Sequence, residues 1–195
     1  YTDDNISINI TTDTYDNTAV YIADVQIADL SCLQTAFANS TYGKNITAAT
    51  SAIANNVNAV LAINGDFYGA RNAGYVIRNG VLYRETVSSS TQEDLVINKD
   101  GSFSIITEGE TSAATLLDSG AQQVLSFGPA LIEASQIVVS QNQEVGQAMT
   151  SNPRTAICEI APLHYLFVVS DGRTSSSTGL TLYQMAQYLQ SLGVK

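Results

Sequence analysis

Basic side chains are scarce in this sequence: 8 Lys plus Arg stand against 18 Asp plus Glu, for a formal charge of -10 and a pI near 4.2. Residues 1–43 hold six Asp and no Lys or Arg. That balance argues against a nucleic-acid partner, which needs a cationic footprint to release counterions from its phosphates. It argues equally against an anionic membrane surface. Histidine occurs once, as His164, and cysteine twice, as Cys32 and Cys158. One imidazole and two distant thiols assemble neither a Ser-His-Asp triad nor a His/Cys metal cluster. No apolar run approaches the roughly 20 residues of a membrane-spanning helix, so membrane insertion is not expected. Tyr1 carries neither an initiating Met nor a basic-then-apolar leader, from which a mature or trimmed chain is expected. There is no internal repeat, Pro-rich linker or sharp break in composition. A single domain over residues 1–195 is therefore expected, with residues 1–34 as an N-terminal extension of its sheet.

What is present is a globular composition, 45% apolar and 13% charged over 20.7 kDa. At that mass roughly 70% of the unfolded surface can be buried, enough for a sizeable core. Many Thr, Ser, Asn and Tyr with few Lys give the solvated style of an extracellular or cell-surface protein. Four Asn-X-Ser/Thr sequons, at Asn5, Asn9, Asn39 and Asn45, matter only if the chain is secreted by a eukaryote. The two cysteines allow either one disulfide closing a long loop or two buried free thiols.

Strand signals dominate. Residues 6–10 and 19–27 cluster or alternate apolar β-formers, and the apolar run 57–63, stopped by Asn64-Gly65, reads as a buried strand. Residues 75–77 and 81–83 flank Asn79-Gly80, the strongest hairpin signal in the chain. A second hairpin joins 95–98 to 103–106, short strands fall at 124–127, 130–132 and 137–139, and a third pair joins 155–160 to 164–169. Residues 47–56 are Ala-rich and suit a short helix. Leu180, Leu182, Met185, Ala186, Leu189 and Leu192 share the face of a last helix stopped at Gly193. The expected fold is α+β, a strand-rich mixed sheet built from hairpins with two or three helices.

All five Arg fall in two windows, residues 71–84 and 154–173. An acidic chain that concentrates guanidinium groups is suited to hold an anion, because Arg recognises carboxylate or phosphate with two parallel donors. Pairing of each Arg with a nearby Asp or Glu is the alternative. The first window is preceded by Asn64, Gly65 and Asp66 at the end of the apolar run and opens at Arg71. In extended backbone, Asn64 and Asp66 share a side. In the second window, an antiparallel pair brings Arg154 and Arg173 to one sheet end with Asp171 between them. His164 is expected to make a local hydrogen bond. No metal-ligand spacing is visible, no cofactor is required, and a structural calcium ion held by carboxylates and carbonyls is compatible with the composition.

Five blocks in order carry a family resemblance: AINGDFYGARN (62–72), GYVIRNGVLYR (74–84), SFGPALI (126–132), NPRTAI (152–157), and VVSDGR followed by GLTLYQMAQYLQSLG (168–193). The chain resembles the bacterial branch of the phosphodiester glycosidase family. The resemblance implies hydrolysis of a sugar-1-phosphodiester at the glycosidic carbon, in extracellular or cell-surface glycans. On it, Arg154 and Arg173 hold phosphate, Asp66 or Asp171 is the reacting carboxylate, and Asn64 and Arg71 complete the substrate contacts. Two departures stand out. Cys158 occupies a position where the family carries Gly, which favours a disulfide with Cys32. The family also continues past the last helix into a strand and an Asn-Leu-Asp-Gly-Gly-Gly-Ser-Ser motif, whereas this sequence ends at Lys195. A C-terminally incomplete domain is therefore expected, with the remainder as a partner. The alternative function is a non-catalytic glycan-binding or assembly module of a larger extracellular protein.

Overall fold

A computed structural model describes residues 1–144 and 151–195. Eleven strands and three α-helices are found among the described residues, an α+β, strand-rich fold, and they form two compact units.

The first unit is Tyr1–Cys32 with Pro129–Lys195. Strands β1 (Ile6–Tyr15) and β2 (Thr18–Ile27) form a hairpin whose turn, Asp16-Asn17, has positive φ at both residues. That conformation matches the natural twist of paired strands. Strands β10 (Arg154–Ala161) and β11 (His164–Ser170) form the other hairpin, and the sheet order is β1-β2-β11-β10. Helix α3 (Leu182–Ser191) packs Met185, Tyr188 and Leu189 against Val20, Ile22, Leu166 and Val168 of that sheet. Its start is fixed by a capping box, in which Thr181 accepts from the Gln184 N–H and the Gln184 side chain accepts from the Thr181 N–H. Two further strands, β8 (Ile132–Glu133) and β9 (Gln136–Ile137), make a small hairpin. At the outside of the sheet, β1 buries only Ile8 and leaves Ile10 exposed.

The second unit is Leu33–Gly128. Its sheet has the order β4-β3-β7-β5-β6, with β3 Val76–Arg78, β4 Val81–Arg84, β5 Glu93–Asn98, β6 Phe103–Thr107 and β7 Ala121–Leu125. The expected Asn79-Gly80 turn joins β3 to β4 with φ of 50° and 74°. A short helix, α2 (Ala113–Asp118), lays Ala113 and Leu116 on Tyr75, Ile77, Val96 and Val124. Helix α1 (Thr50–Asn56) lies within the Ala-rich stretch 47–56 expected to be helical.

Three expectations change. All pairings of named strands are antiparallel rather than mixed. Short turns allow no other pairing within a hairpin, and the β2–β11, β3–β7 and β5–β7 contacts run the same way. Residues 57–63 form no strand, and Val57 and Val60 are each 51% exposed. The end of α1 takes the backbone donors there: the N–H groups of Val57, Asn58 and Ala59 go to carbonyls of residues 53–55, and Asn58 sits at φ 54°. Finally, Cys32 and Cys158 are free thiols, and burial pushes Cys158 up to about 12. No helix among the described residues is long and apolar enough to cross a membrane.

The loop after β11 is pressed onto Asn152 and Pro153. A Cβ on Gly172 would lie 2.4 Å from the Pro153 nitrogen, and one on Gly179, at φ +95°, would lie 2.7 Å from Asn152 backbone atoms. Gly172→Ala and Gly179→Ala are each expected to destabilise the protein by roughly 1–3 kcal/mol through overpacking. Gly179→Ala should cost about 1–2 kcal/mol more for its left-handed backbone. Urea unfolding midpoints of the two variants check both the loss and its order.

Candidate functional site

The expected pairing of the second Arg window is present. Arg154 lies opposite Ser170 across the β10–β11 ladder, and its N–H donates to the Ser170 hydroxyl at 3.1 Å. The two guanidinium groups turn in different directions. Arg154 points inward, where its Nη2 meets Glu144 at 2.6 Å and its Nε donates to the Leu180 carbonyl at 2.9 Å. Side-chain exposure is 7% for Arg154 and 6% for Glu144, whose second oxygen accepts from the Leu182 N–H at the start of α3. Arg173 is solvent-exposed, and its Nε and Nη2 both donate to the Asn152 side-chain oxygen. Asp171 is also exposed, and the Tyr21 hydroxyl donates to it at 3.4 Å. Asp171 is thus not clamped between two cations. It lies on a solvent-facing turn with Arg173 two residues along and a phenol from β2 beside it.

The first window builds a different environment in the second unit. Asn64 is exposed, whereas the Asp66 side chain is 2% exposed, so the shared side expected from extended backbone is not kept. One Asp66 oxygen takes Arg78 Nη2 at 2.6 Å and the other takes the Ser126 N–H at 2.9 Å. Arg71 is half-buried, stacks its guanidinium 4.2 Å from the Phe67 ring centroid, and donates to Gln92 at 3.3 Å. Arg84 is turned onto backbone carbonyls of Gly74, Tyr68 and Arg71. Phe37, Tyr42, Tyr68 and Tyr83 pack ring on ring beside this loop, with centroids 4.8–5.6 Å apart.

The six candidate residues therefore divide by unit and by exposure. Asp171 and Arg173 face solvent in the first unit, with Arg154 buried behind them in its own ion pair. Asn64 and Arg71 reach the surface in the second unit, with Asp66 buried in its own. His164 makes the expected local contact, with Nε2 2.9 Å from Asp24 Oδ1. Sequence reasoning passes over Tyr21, Glu144, Ser126 and the buried acids Asp94 and Glu108. Ser126 opens the SFGPALI block but carries no role of its own in the resemblance, the other four sit in no motif of residue types, and only strand register places Tyr21 near the end of β11. No cluster of three or more His, Cys, Asp or Glu among the described residues is placed to hold a metal ion.

Removing one partner of a buried ion pair leaves a charge without its counter-ion. Arg78→Met is therefore expected to destabilise the second unit by about 3–5 kcal/mol, and the double variant Arg78→Met/Asp66→Asn by clearly less. A double-mutant cycle from chemical denaturation checks this, and additive losses would contradict the pairing.

Comparison with known proteins places this geometry. Residues 57–195 match a family model described as phosphodiester glycosidase. The SPbeta prophage-derived uncharacterized protein YomE of Bacillus subtilis (strain 168) is 29% identical over 141 residues, or 69% of this chain and 22% of that protein. The chain thus spans less than a quarter of that curated relative. Two solved structures share the fold at 16% identity. The zebrafish N-acetylglucosamine-1-phosphodiester alpha-N-acetylglucosaminidase catalytic domain, auto-inhibited by pro-peptide, superposes with a TM-score of 0.63 over 97% of this chain and 67% of its own. A hypothetical protein from Synechocystis does so at 0.57, over 97% and 55%. Because the family model takes in well over half of the sequence, including both Arg windows, the chain belongs to the phosphodiester glycosidase family.

Proposed function

We propose that the protein acts as a hydrolase on sugar-1-phosphodiesters of extracellular or cell-surface glycans, cleaving the bond between the anomeric carbon and the phosphate oxygen. The observation that carries this reading is the Asp171-Gly172-Arg173 turn, where a carboxylate and a guanidinium both face solvent within the family-matched region. A phosphate ester departs readily once its charge is neutralised, which is work for Arg173. Asp171 then takes a proton from water as the water oxygen bonds to the anomeric carbon, or itself bonds to that carbon before water releases the sugar. In either route the carbon–oxygen bond breaks and the phosphate leaves with the bonding electrons. Arg154, paired with Glu144 beneath the turn, supports it. Asp66, with Asn64 and Arg71 on the loop beside it, is the other carboxylate for this role, and its burial favours Asp171.

A second reading draws on the small share of YomE that the chain matches. On it, the chain is a glycan-binding or assembly module of a larger extracellular protein, with the remaining sequence as its partner. The two readings part on turnover. Hydrolysis predicts release of free sugar from a sugar-1-phosphate diester by the protein. It also predicts a loss of about 10²–10⁴ in kcat for Asp171→Asn with an unchanged melting temperature. Asp66→Asn should instead lower the melting temperature. A panel of diesters left intact, with measurable glycan binding, would favour the module.

A further inference from the structure

The second unit buries more negative charge than it answers. Asp94, on β5, is 1% exposed, and neither of its carboxylate oxygens has a hydrogen-bond partner among the described residues. Its neighbours are acids. Glu108, just beyond β6 and also 1% exposed, accepts from the Tyr75 N–H at 3.0 Å, the Ser126 hydroxyl at 3.3 Å and the Ser88 N–H. Asp66 accepts from the Ser126 N–H and holds Arg78. Ser126 therefore joins the two carboxylates, by its backbone on one side and its hydroxyl on the other. The flanking strands β6 and β7 contain no titratable side chain, and Glu93, next to Asp94 on β5, alternates to the other face.

Three buried carboxyls thus lie close together, and the Arg78 guanidinium is committed to Asp66 while Arg84 is turned onto backbone carbonyls. Carboxylates taken out of water must be paired, hydrogen-bonded or protonated. Asp66 is paired and Glu108 is well hydrogen-bonded, while Asp94 meets only the Ser126 hydroxyl and the Glu108 carboxyl, both outside good hydrogen-bond geometry. We infer that Asp94 is a proton-holding positioning residue: as a neutral acid, it leaves Ser126 free to keep both of its hydrogen bonds and so holds the Asp66 carboxylate in place. Burial first, then the charge of Glu108 and more weakly that of Asp66, pushes the Asp94 carboxyl up to about 8. Ionisation would bring a competing anion to the Ser126 hydroxyl and repel both neighbouring acids. The sign follows from the proton count. Between an unfolded value of about 3.9 and the folded value, the native state binds the extra proton, so stability falls as pH rises through that window and levels off above it. The inference rests on the packing of the second unit and is independent of the hydrolytic reading.

Three measurements on the protein test it, and none requires turnover. At about pH 6, carboxyl infrared spectra should show a protonated-acid band that disappears above about pH 9 and is missing in Asp94→Asn. Asp94→Asn should melt above the parent at about pH 9, with the gap closing toward about pH 5. Exchange protection of the Ser126 amide, corrected for intrinsic base catalysis, should fall about tenfold or more across that range in the parent and stay level in the variant. A parent without the band, or with Ser126 protection independent of pH, overturns the inference. So does a variant less stable than the parent at every pH. If Asp94→Asn does not fold, the infrared and exchange measurements on the parent still decide. Absence of diester hydrolysis with these three results intact would remove only the functional reading.

Discussion

A charge removed from water must be answered where it sits, and that requirement organises both units of this protein. In the first, Arg154 is buried under the β11 turn because Glu144 meets it, and Glu144 in turn satisfies an N–H at the start of α3. In the second, Arg78 closes β3 by reaching Asp66, and the other Asp66 oxygen draws in the backbone of Ser126 at the end of β7. Each pair ties segments distant in sequence to a sheet edge, so loss of one member disturbs more than its own contacts. Such pairs add modestly to net stability compared with apolar replacements. What they fix is the position of the loops that carry the exposed polar groups.

The hairpins were legible because their turns carry the chemistry that positive φ requires, as at Asn79-Gly80, and the last helix because its apolar residues recur at helical spacing before Gly193. The run 57–63 looked equally convincing. Apolar content alone does not make a strand, however, and here α1 captures the backbone donors a neighbouring strand would need. Helix α2 was too short for periodicity to register. The candidate site was legible in composition and not in direction. Clustering of the five Arg singled out two windows, yet whether a guanidinium faces solvent or a buried acid depends on burial, which a linear sequence does not encode. Asp94 and Glu108 left no signal at all, since one follows Glu93 at the start of a strand and the other lies just past the end of one, places where an acid is ordinarily exposed.

Family membership and geometry bear on different parts of the functional question. Membership points to a glycosidase-like hydrolase. Exposure within each unit ranks the residues, separating those a substrate can touch from those that hold them. The turn at Asp171 and Arg173 owes its placement to Asn152, whose backbone pairs with Leu180 in both directions while its side-chain oxygen receives Arg173. An acid and a guanidinium on a surface turn keep a fixed orientation only with such an anchor, because orientation is lost first where few contacts restrain the backbone.

Strand β1 stands last in its sheet, and residues Tyr1–Asp3 fold back onto Ile6 and Ile8 by backbone hydrogen bonds, so that only the rest of its outer row has no strand partner among the described residues. An open row of that kind templates the addition of a foreign strand, or of a second copy, wherever it is apolar and uncharged. Here its outward residues are largely Thr, Asn and Asp, followed by Asp16 at the turn. With its start covered by the chain's own N-terminus and the rest largely polar, this ten-residue strand lacks the long flat apolar edge on which a foreign strand is templated.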